Sequence, residues 1–416
     1  MTSVSVRDVE AAAVALARFL PITPTVPSAI LSEKLGCPLV LKLENLHHTG
    51  SFKERGALNK LRGLSDEAKR RGVIAASAGN HAQGVAHHAT QLDIPSTIVM
   101  PCTTPFTKVL RTEAFGGRVV LFGDGLSESQ SHAEQLAAAQ GLTLIHPYDD
   151  PAIIAGQGTI GLELLAAVPN LDDIVVPIGG GGLISGIAVA AKALNPDIRV
   201  TGVEAAMYPS MSDALKGITR DYSGPTLAEG IAVKSPGVLT REIIAELVDD
   251  IILADEPAME EGIRMLLASQ KLVAEGAGAA GLAALMLAPE RFAGRQVGVV
   301  VTGGNIDARL LSSILMRGLV HDGQLVHLVV CINDTPGLLA QVATIVGQCG
   351  GNIVEVEHRR LALSVPVKRA DLHLLIETRG PGHGALIRDQ LTAAGFVVGT
   401  EADTGASEPA SQQQLP

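Results

Sequence analysis

At 416 residues, 47% hydrophobic and 18% charged, the chain is long enough for two or three domains and rich enough in apolar side chains to bury large cores, which excludes a disordered polypeptide. Aromatic residues make up 2% with no Trp, and 43 acidic against 32 basic residues leave a net charge of −11, a balance suited neither to base stacking nor to a nucleic-acid partner. Cys37, Cys102, Cys331 and Cys349 are scattered, without C-x-x-C or metal-ligand spacing, and read as reduced thiols of a cytoplasmic protein.

The N-terminal stretch Met1–Leu20 carries Arg7, Asp8, Glu10 and Arg18 and reads as an amphipathic helix over Val6–Phe19, not a signal peptide; no uncharged run is long enough to span a bilayer. Pro21, Pro24 and Pro27 end it. A short helix around Ile30–Leu35 precedes the apolar strand Leu39–Leu43. Ser51 and Glu54 then form an S-x-x-E pattern, which predicts a capping box and a helix from Ser51 to Leu64. Lys53 falls in its first turn, where unpaired amides and the macrodipole disfavour a cation. Its pKa is expected below the reference of roughly 10.4, which would let it act as a Schiff-base nucleophile; the other reading of these residues is a surface lysine on an ordinary capped helix.

Strand–loop–helix units follow. Val73–Ala76 is strand, Ser77-Ala78-Gly79-Asn80 a tight loop and His81–Leu92 helix. Ser96–Met100, Arg118–Phe122 and Thr143–Ile145 read as strands, Thr107–Phe115 and Leu126–Gln140 as helices. The strand Ile174–Ile178 runs into Gly179-Gly180-Gly181-Gly182 and a helix Leu183–Leu194; Arg199–Val203 and Val297–Val301 are further strands, the last ending at Thr302-Gly303-Gly304-Asn305. The alternation predicts an α/β fold with doubly wound parallel sheets. Beyond Gly318–Gln324 the pattern changes. Val326–Ile332, Asn352–Glu357, Leu372–Glu377 and Phe396–Val398 as strands, with Leu338–Gln348 and Leu386–Ala394 as helices, spell a ferredoxin-like βαββαβ module. Residues 401–416 are polar and Gln-rich, and are expected to be disordered.

Glycines between a strand's carboxyl end and a helix suit a phosphate, since the backbone can approach closely and the helix amides donate. The Walker pattern fails because Leu183-Ile184 stand where Lys belongs. A dinucleotide fingerprint also fails, needing glycine at Ile184 or Ser185, although Glu204 lies where a ribose-binding acid would. In the Ser77–His81 loop, amides and the Ser77 hydroxyl could hold a carboxylate; Asn80 could donate to an oxygen or simply cap the helix. The His47-His48 and His87-His88 pairs lack metal-ligand spacing, and no metal constellation stands out.

Together, Ser51–Ala57, Ser77–Gln83, Gly179–Leu183 and Thr302–Asn305 resemble the pyridoxal-phosphate-dependent serine/threonine dehydratases of the tryptophan-synthase-β-like fold (PLP fold type II), from about Thr23 to Leu319. Val326–Val398 separately resembles an ACT regulatory domain, so the whole is similar to threonine ammonia-lyases with one C-terminal ACT module. The resemblance implies a catalytic domain over 1–320 (with a small subdomain over about 45–150) and an ACT-like domain over 325–400. It implies pyridoxal 5'-phosphate as cofactor, held by Lys53 as a Schiff base. Phe52 would lie against the ring, Asn80 bond its phenolic oxygen and Thr302 face its nitrogen. Gly179, Gly180, Gly181, Gly182 and Leu183 would cradle the phosphate, while Ser77, Asn80 and His81 would orient the substrate carboxylate. The implied reaction is deamination of L-threonine or L-serine by loss of water. A branched-chain amino acid is the implied effector, near Asp334–Leu339 and Asn352–Val356, and paired ACT edges imply a homodimer or tetramer. Serine racemases of this family carry a second serine where this chain has Ala78, and a second carboxylate where Ala205–Ser210 has none, so the resemblance favours a dehydratase without a metal. A nicotinamide enzyme using Glu204, or an inactive amino-acid sensor, are the rival readings.

Overall fold

The computed structural model describes residues 4–360 and 369–400. The tail 401–416, expected to be disordered, lies outside the described residues. The chain divides into two units, Met1–Ile306 and Asp307–Pro416. Among the described residues, no helix is long and apolar enough to cross a membrane.

The first unit contains two sheets. The larger has the order Thr25–Pro27, Leu39–Leu43, Val297–Val301, Asp173–Pro177, Arg199–Ala205, Asp250–Ala254, parallel except for the antiparallel edge strand Thr25–Pro27. Three of its central strands are buried at every position, as strands covered on both faces must be. Ile160, Leu164, Ile184 and Ile187, from the helices Pro151–Ala167 and Gly182–Leu194, pack on it with Ile174, Val176 and Val300. The smaller sheet, Arg118–Leu121, Ser96–Met100, Val73–Ala76, Thr143–Leu144, is parallel throughout.

The edge strand Thr25–Pro27, the strand Asp250–Ala254 and the helices Pro151–Ala167 and Gly276–Leu287 were not predicted. The physical reason is plain for Gly276–Leu287: it is buried from Gly276 through Leu285, so apolar residues recur all round it and no helical period stands out.

In the second unit a helix Ala308–His321 leads into Leu325–Asn333, the helix Leu338–Gln348, Asn352–Arg359, Arg369–Glu377, the helix Pro381–Ala393 and Val397–Thr400. The sheet order is Asn352–Arg359, Arg369–Glu377, Leu325–Asn333, Val397–Thr400, all antiparallel, which is the ferredoxin-like βαββαβ arrangement. Leu328, Val330, Leu372, Leu374 and Ile376 face Val342, Val346, Ile387 and Leu391 of its helices.

A buried ionic cluster fixes the helix Lys53–Arg62 in the first unit. Arg55, 2% exposed, donates Nε and Nη2 to Glu44 (2.7 and 2.9 Å) and Nη1 and Nη2 to Glu163 (2.6 and 2.8 Å). Lys42 Nζ meets Glu163 Oε2 at 2.6 Å and the Thr23 carbonyl at 2.8 Å. Burial alone would raise the Glu44 pKa, but the Arg55 guanidinium, with His47, holds it well below the usual carboxylate range. Arg55→Ala leaves two carboxylates without their fork and is expected to cost about 3–5 kcal/mol. Urea unfolding with an unchanged slope and a lowered midpoint checks this; a midpoint at the wild-type value would mean that the cluster carries no stability.

Candidate active site

The helix expected from Ser51 begins at Lys53, with Phe52 at its N-cap and no side-chain cap. The Ser51–Glu54 capping box does not form. Glu54 instead accepts from the Thr49 amide and faces His88, while the Ser51 and Thr49 hydroxyls are buried without a partner. Main-chain bonds explain why. Ser51 bridges Gly303, Phe52 N donates to Thr302 O at 3.1 Å, and Gly304 N donates to Gly50 O at 3.0 Å. The segment before the lysine is held as a strand against the Thr302–Gly304 loop, so Ser51 cannot turn in to cap.

Lys53 Nζ donates to Pro147 O at 2.8 Å and lies 5.1 Å from the Phe52 ring centroid. Its pKa is lowered to about 8, chiefly by burial of the ammonium, with the charge of Glu275 acting the other way. The sequence argument gave the direction of this shift, but burial is its leading cause. Pro147 belongs to a turn shaped by His146, whose Nδ1 accepts from Asp149 N at 2.8 Å. The next residue, Tyr148, lies against the glycine run: a Cβ on Gly180 would fall within its ring, and one on Gly182 would meet its carbonyl at 2.8 Å. This turn connects the lysine to the glycines.

Gly181 has φ +96° and caps the helix Gly182–Leu194, which starts one residue earlier than expected. Thr240 Oγ1 donates to Gly180 O at 2.7 Å, which leaves the loop's amides as the groups it presents. Asn80 is not a cap; Gly79 holds that position, and Asn80 opens the helix Asn80–Gln91. Its Nδ2 donates to Glu275 Oε1 at 2.6 Å, and its Oδ1 accepts from Asn305 Nδ2 at 2.8 Å. Ser77 Oγ accepts from Gly79 N at 3.3 Å within its own loop. His81 is buried, its Nε2 hydrogen-bonded to Ile145 O at 2.9 Å, and its pKa falls to about 3, mainly through burial and then the Lys53 charge. That leaves the main-chain amide as the group His81 offers the loop. The structure thus links Lys53, Asn80 and Thr302 through their neighbours: Phe52 N bonds Thr302 O, Asn305 bonds both Thr49 O and Asn80, and Lys53 meets the Pro147–Tyr148 turn that lies against the glycine run.

Sequence reasoning missed Glu275, whose pKa burial raises to about 7 against the lowering effect of its Asn80 bond. It also missed Tyr148. A signal for the first existed in Glu275-Gly276-Ala277-Gly278: small residues after an acid mark a close backbone approach, and a Cβ on Gly278 would overlap Gly303 O. Glu204 is committed elsewhere, accepting from Met211 N at 2.7 Å and Ser212 N at 2.9 Å, which removes the ribose-binding acid from the nicotinamide reading.

Residues 17–303 match the family model described as pyridoxal-phosphate dependent enzyme. The chain is 43% identical over 397 residues to an L-threonine ammonia-lyase of Thermotoga maritima, covering 95% of this chain and 99% of that protein. It is 44% identical over 378 residues to one of Geobacter sulfurreducens, covering 90% and 94%. Among solved structures, threonine deaminase isoform 2 of Solanum lycopersicum aligns with TM-score 0.71 and 34% identity over 75% of this chain and 91% of that one. Maize serine racemase aligns with TM-score 0.71 and 34% identity over 77% and 99%.

The residues present fit such a cofactor. Helix-end amides free of carboxylates suit a phosphate, a lysine that loses its proton easily suits an aldehyde, and the glycine loop has no room for side chains. In cofactor-free protein, reaction of Lys53 with an amine-directed reagent is expected to rise with pH around a midpoint of about 8, because only the neutral amine attacks and a lowered pKa exposes it sooner. Peptide mapping of the modified lysine across pH checks this; a midpoint at the free-lysine value would remove burial as the cause.

Proposed function

Because the chain belongs to the pyridoxal-phosphate-dependent enzymes, we propose that it is an L-threonine ammonia-lyase (threonine dehydratase) that also deaminates L-serine. The products are 2-oxobutanoate or pyruvate, with ammonia. What supports this reading is the set of bonds that ties the Lys53 segment and Asn80 to the Thr302–Asn305 loop, in a chain 43% identical to an L-threonine ammonia-lyase over 95% of its length.

The bound cofactor supplies the electron sink that makes the Cα–H of an attached amino acid acidic. Lys53 holds the cofactor and, once free and neutral, takes the Cα proton; its depressed pKa serves both tasks. The proton taken by Lys53 is returned to the departing β-hydroxyl, which leaves as water, and hydrolysis of the released enamine consumes a second water to give the 2-oxo acid and ammonia. Phe52 would cover the ring, and the amides of Gly179–Leu183 would hold the phosphate. Thr302 would face the pyridine nitrogen with a hydroxyl too weakly acidic to protonate it. One Nδ2–H of Asn80 donates to Glu275, which would leave the second for the ring oxygen. The Ser77 hydroxyl and the amides of the loop through His81 orient the substrate carboxylate.

Lys53→Ala is expected to abolish both the visible absorbance of the holoenzyme and 2-oxobutanoate formation from L-threonine. The wild type should convert L-serine to pyruvate without forming D-serine at a comparable rate, because Ala78 has no hydroxyl to deliver a proton to the opposite face. Turnover by the lysine variant would overturn the assignment of Lys53, and D-serine formation at the pyruvate rate would make the protein a racemase.

The ferredoxin-like unit reads as an ACT regulatory domain that takes a branched-chain amino acid near Asp334–Leu339 and Asn352–Val356 and pairs edge to edge in a homodimer or tetramer. Two observations support this. Asn352–Arg359 is an edge strand with Val354 and Val356 exposed, and a match of 397 residues to the Thermotoga protein must extend past Ile306. Four free cysteines support a cytoplasmic location. Isoleucine and valine are expected to change the activity of the full chain but not of a chain ending at Ile306. Activity unmoved by either amino acid in both proteins would leave the unit without a regulatory ligand.

A further inference from the structure

The helices Lys53–Arg62 and Asn80–Gln91 touch closely at Gly84, where a Cβ would lie 3.3 Å from the main chain of Lys53. Beside that contact stands a cluster of side chains that the reaction does not use. Glu54 comes from the first turn of one helix, His87 and His88 from the last turns of the other. A carboxylate oxygen and one nitrogen from each imidazole all lie within 4.8 Å of one another. Adjacent helix positions point about 100° apart, so the spacing of the two histidines alone shows no site. The fold supplies the missing third group from a second helix.

The geometry of His88 is informative. Its Nε2 lies 3.1 Å from Glu54 Oε2 and its Nδ1 3.2 Å from Gln91 Oε1, so both ring nitrogens face oxygens. The His88 and Glu54 side chains are each 1% exposed. Nε2 is aimed at the Glu54 carboxylate in a dry site, and a metal cation satisfies the same two ligands. Gln91 then acts as the outer partner that holds the ring with Nε2 inward. On the other side the cluster reaches solvent. His87 is half-buried, its ring centroid 4.8 Å from that of His88 and 4.6 Å from that of the exposed His48. Phe115 stands edge-on to both His48 and His87 and walls one flank.

We propose that Glu54, His87 and His88 bind one divalent first-row transition ion such as Zn²⁺, with the remaining coordination filled by water or by His48. Two imidazoles and one carboxylate suit this class, whereas Mg²⁺ and Ca²⁺ require oxygen ligands and a thiolate-seeking ion finds no sulfur. The ion ties the helix that starts at Lys53 to the helix that starts at Asn80 without touching the reacting groups.

The test is calorimetric titration of Zn²⁺ into EDTA-treated holoenzyme, wild type and His87→Ala, with thermal melts of each in the presence and absence of the ion. His87 lies outside the catalytic machinery and is half-buried, so the variant is expected to fold and to keep its zinc-free activity. The wild type should bind a single equivalent, and the variant should bind on the order of tenfold to a hundredfold more weakly, since even outer-shell losses cost that much. Zinc should raise the melting temperature of the wild type and not of the variant. No saturable binding to the wild type, or equal affinity in the two proteins, would overturn the assignment.

Discussion

The position of the helix Lys53–Arg62 depends on one buried guanidinium. Arg55 spans two carboxylates that approach from different elements, Glu44 at the end of a strand of the large sheet and Glu163 on the helix Pro151–Ala167. Lys42 brings this cluster to two cations and two carboxylates, with Glu44 also facing His47. Apolar contacts alone tolerate small slides, because one methylene can replace another against the same wall. A planar fork between two fixed carboxylates does not, since any rotation of the helix leaves a charge unpaired in a dry interior. The cluster adds little as a net attraction, but it defines where the first turn of this helix sits.

That definition matters because Lys53 occupies a position with almost no local freedom. Its segment is zipped to the Thr302–Gly304 loop, its ammonium is met by Pro147 O, and the turn carrying Pro147 also presses Tyr148 onto Gly180. Asn305 ties the Thr49 carbonyl to Asn80, and Asn80 to Glu275. Residues distant in sequence are thus joined in one hydrogen-bonded ring of loops at strand ends, where open α/β sheets place their ligands.

Much of this was legible in the sequence where one local signal dominated. Val73–Ala76, Ser96–Met100 and Val297–Val301 fold over the ranges that their apolar runs predict, because a short buried strand between turn residues has little else to become. The glycine run announced its loop through residues that only a positive φ or a close approach requires. The capping box failed because tertiary contacts held both residues elsewhere, the Ser51 main chain in the bridge to Gly303 and the Glu54 carboxylate beside His88. Glu275 was missed for the opposite reason. It precedes a helix buried all round, and the small residues after it mark a close backbone approach without saying what the acid itself meets. What sequence cannot show is which groups meet across the fold, and both Glu275 and the Glu54–His87–His88 cluster are facts of that kind.

The four consecutive residues Lys53, Glu54, Arg55 and Gly56 make the same point in miniature. Each step along a helix turns the side chain by about 100°, so four successive positions sample every direction around the axis. Here every direction is occupied by something different. Lys53 faces the loops, Glu54 faces His88 on the neighbouring helix, and Arg55 faces the ionic cluster. Gly56 lies against the helix Pro151–Ala167: a Cβ on it would meet Gln157 and the Ile153 carbonyl, one on Gly156 would meet Gly56 itself, and the Gly56 amide donates to Gln157 at 3.2 Å. Three of the four positions are buried and Lys53 is half-buried, so little of this turn is left to absorb an error. A substitution at any of the four therefore acts on the lysine's position, whether or not it touches the reaction, and this coupling explains why one short stretch of sequence carries so much of the architecture.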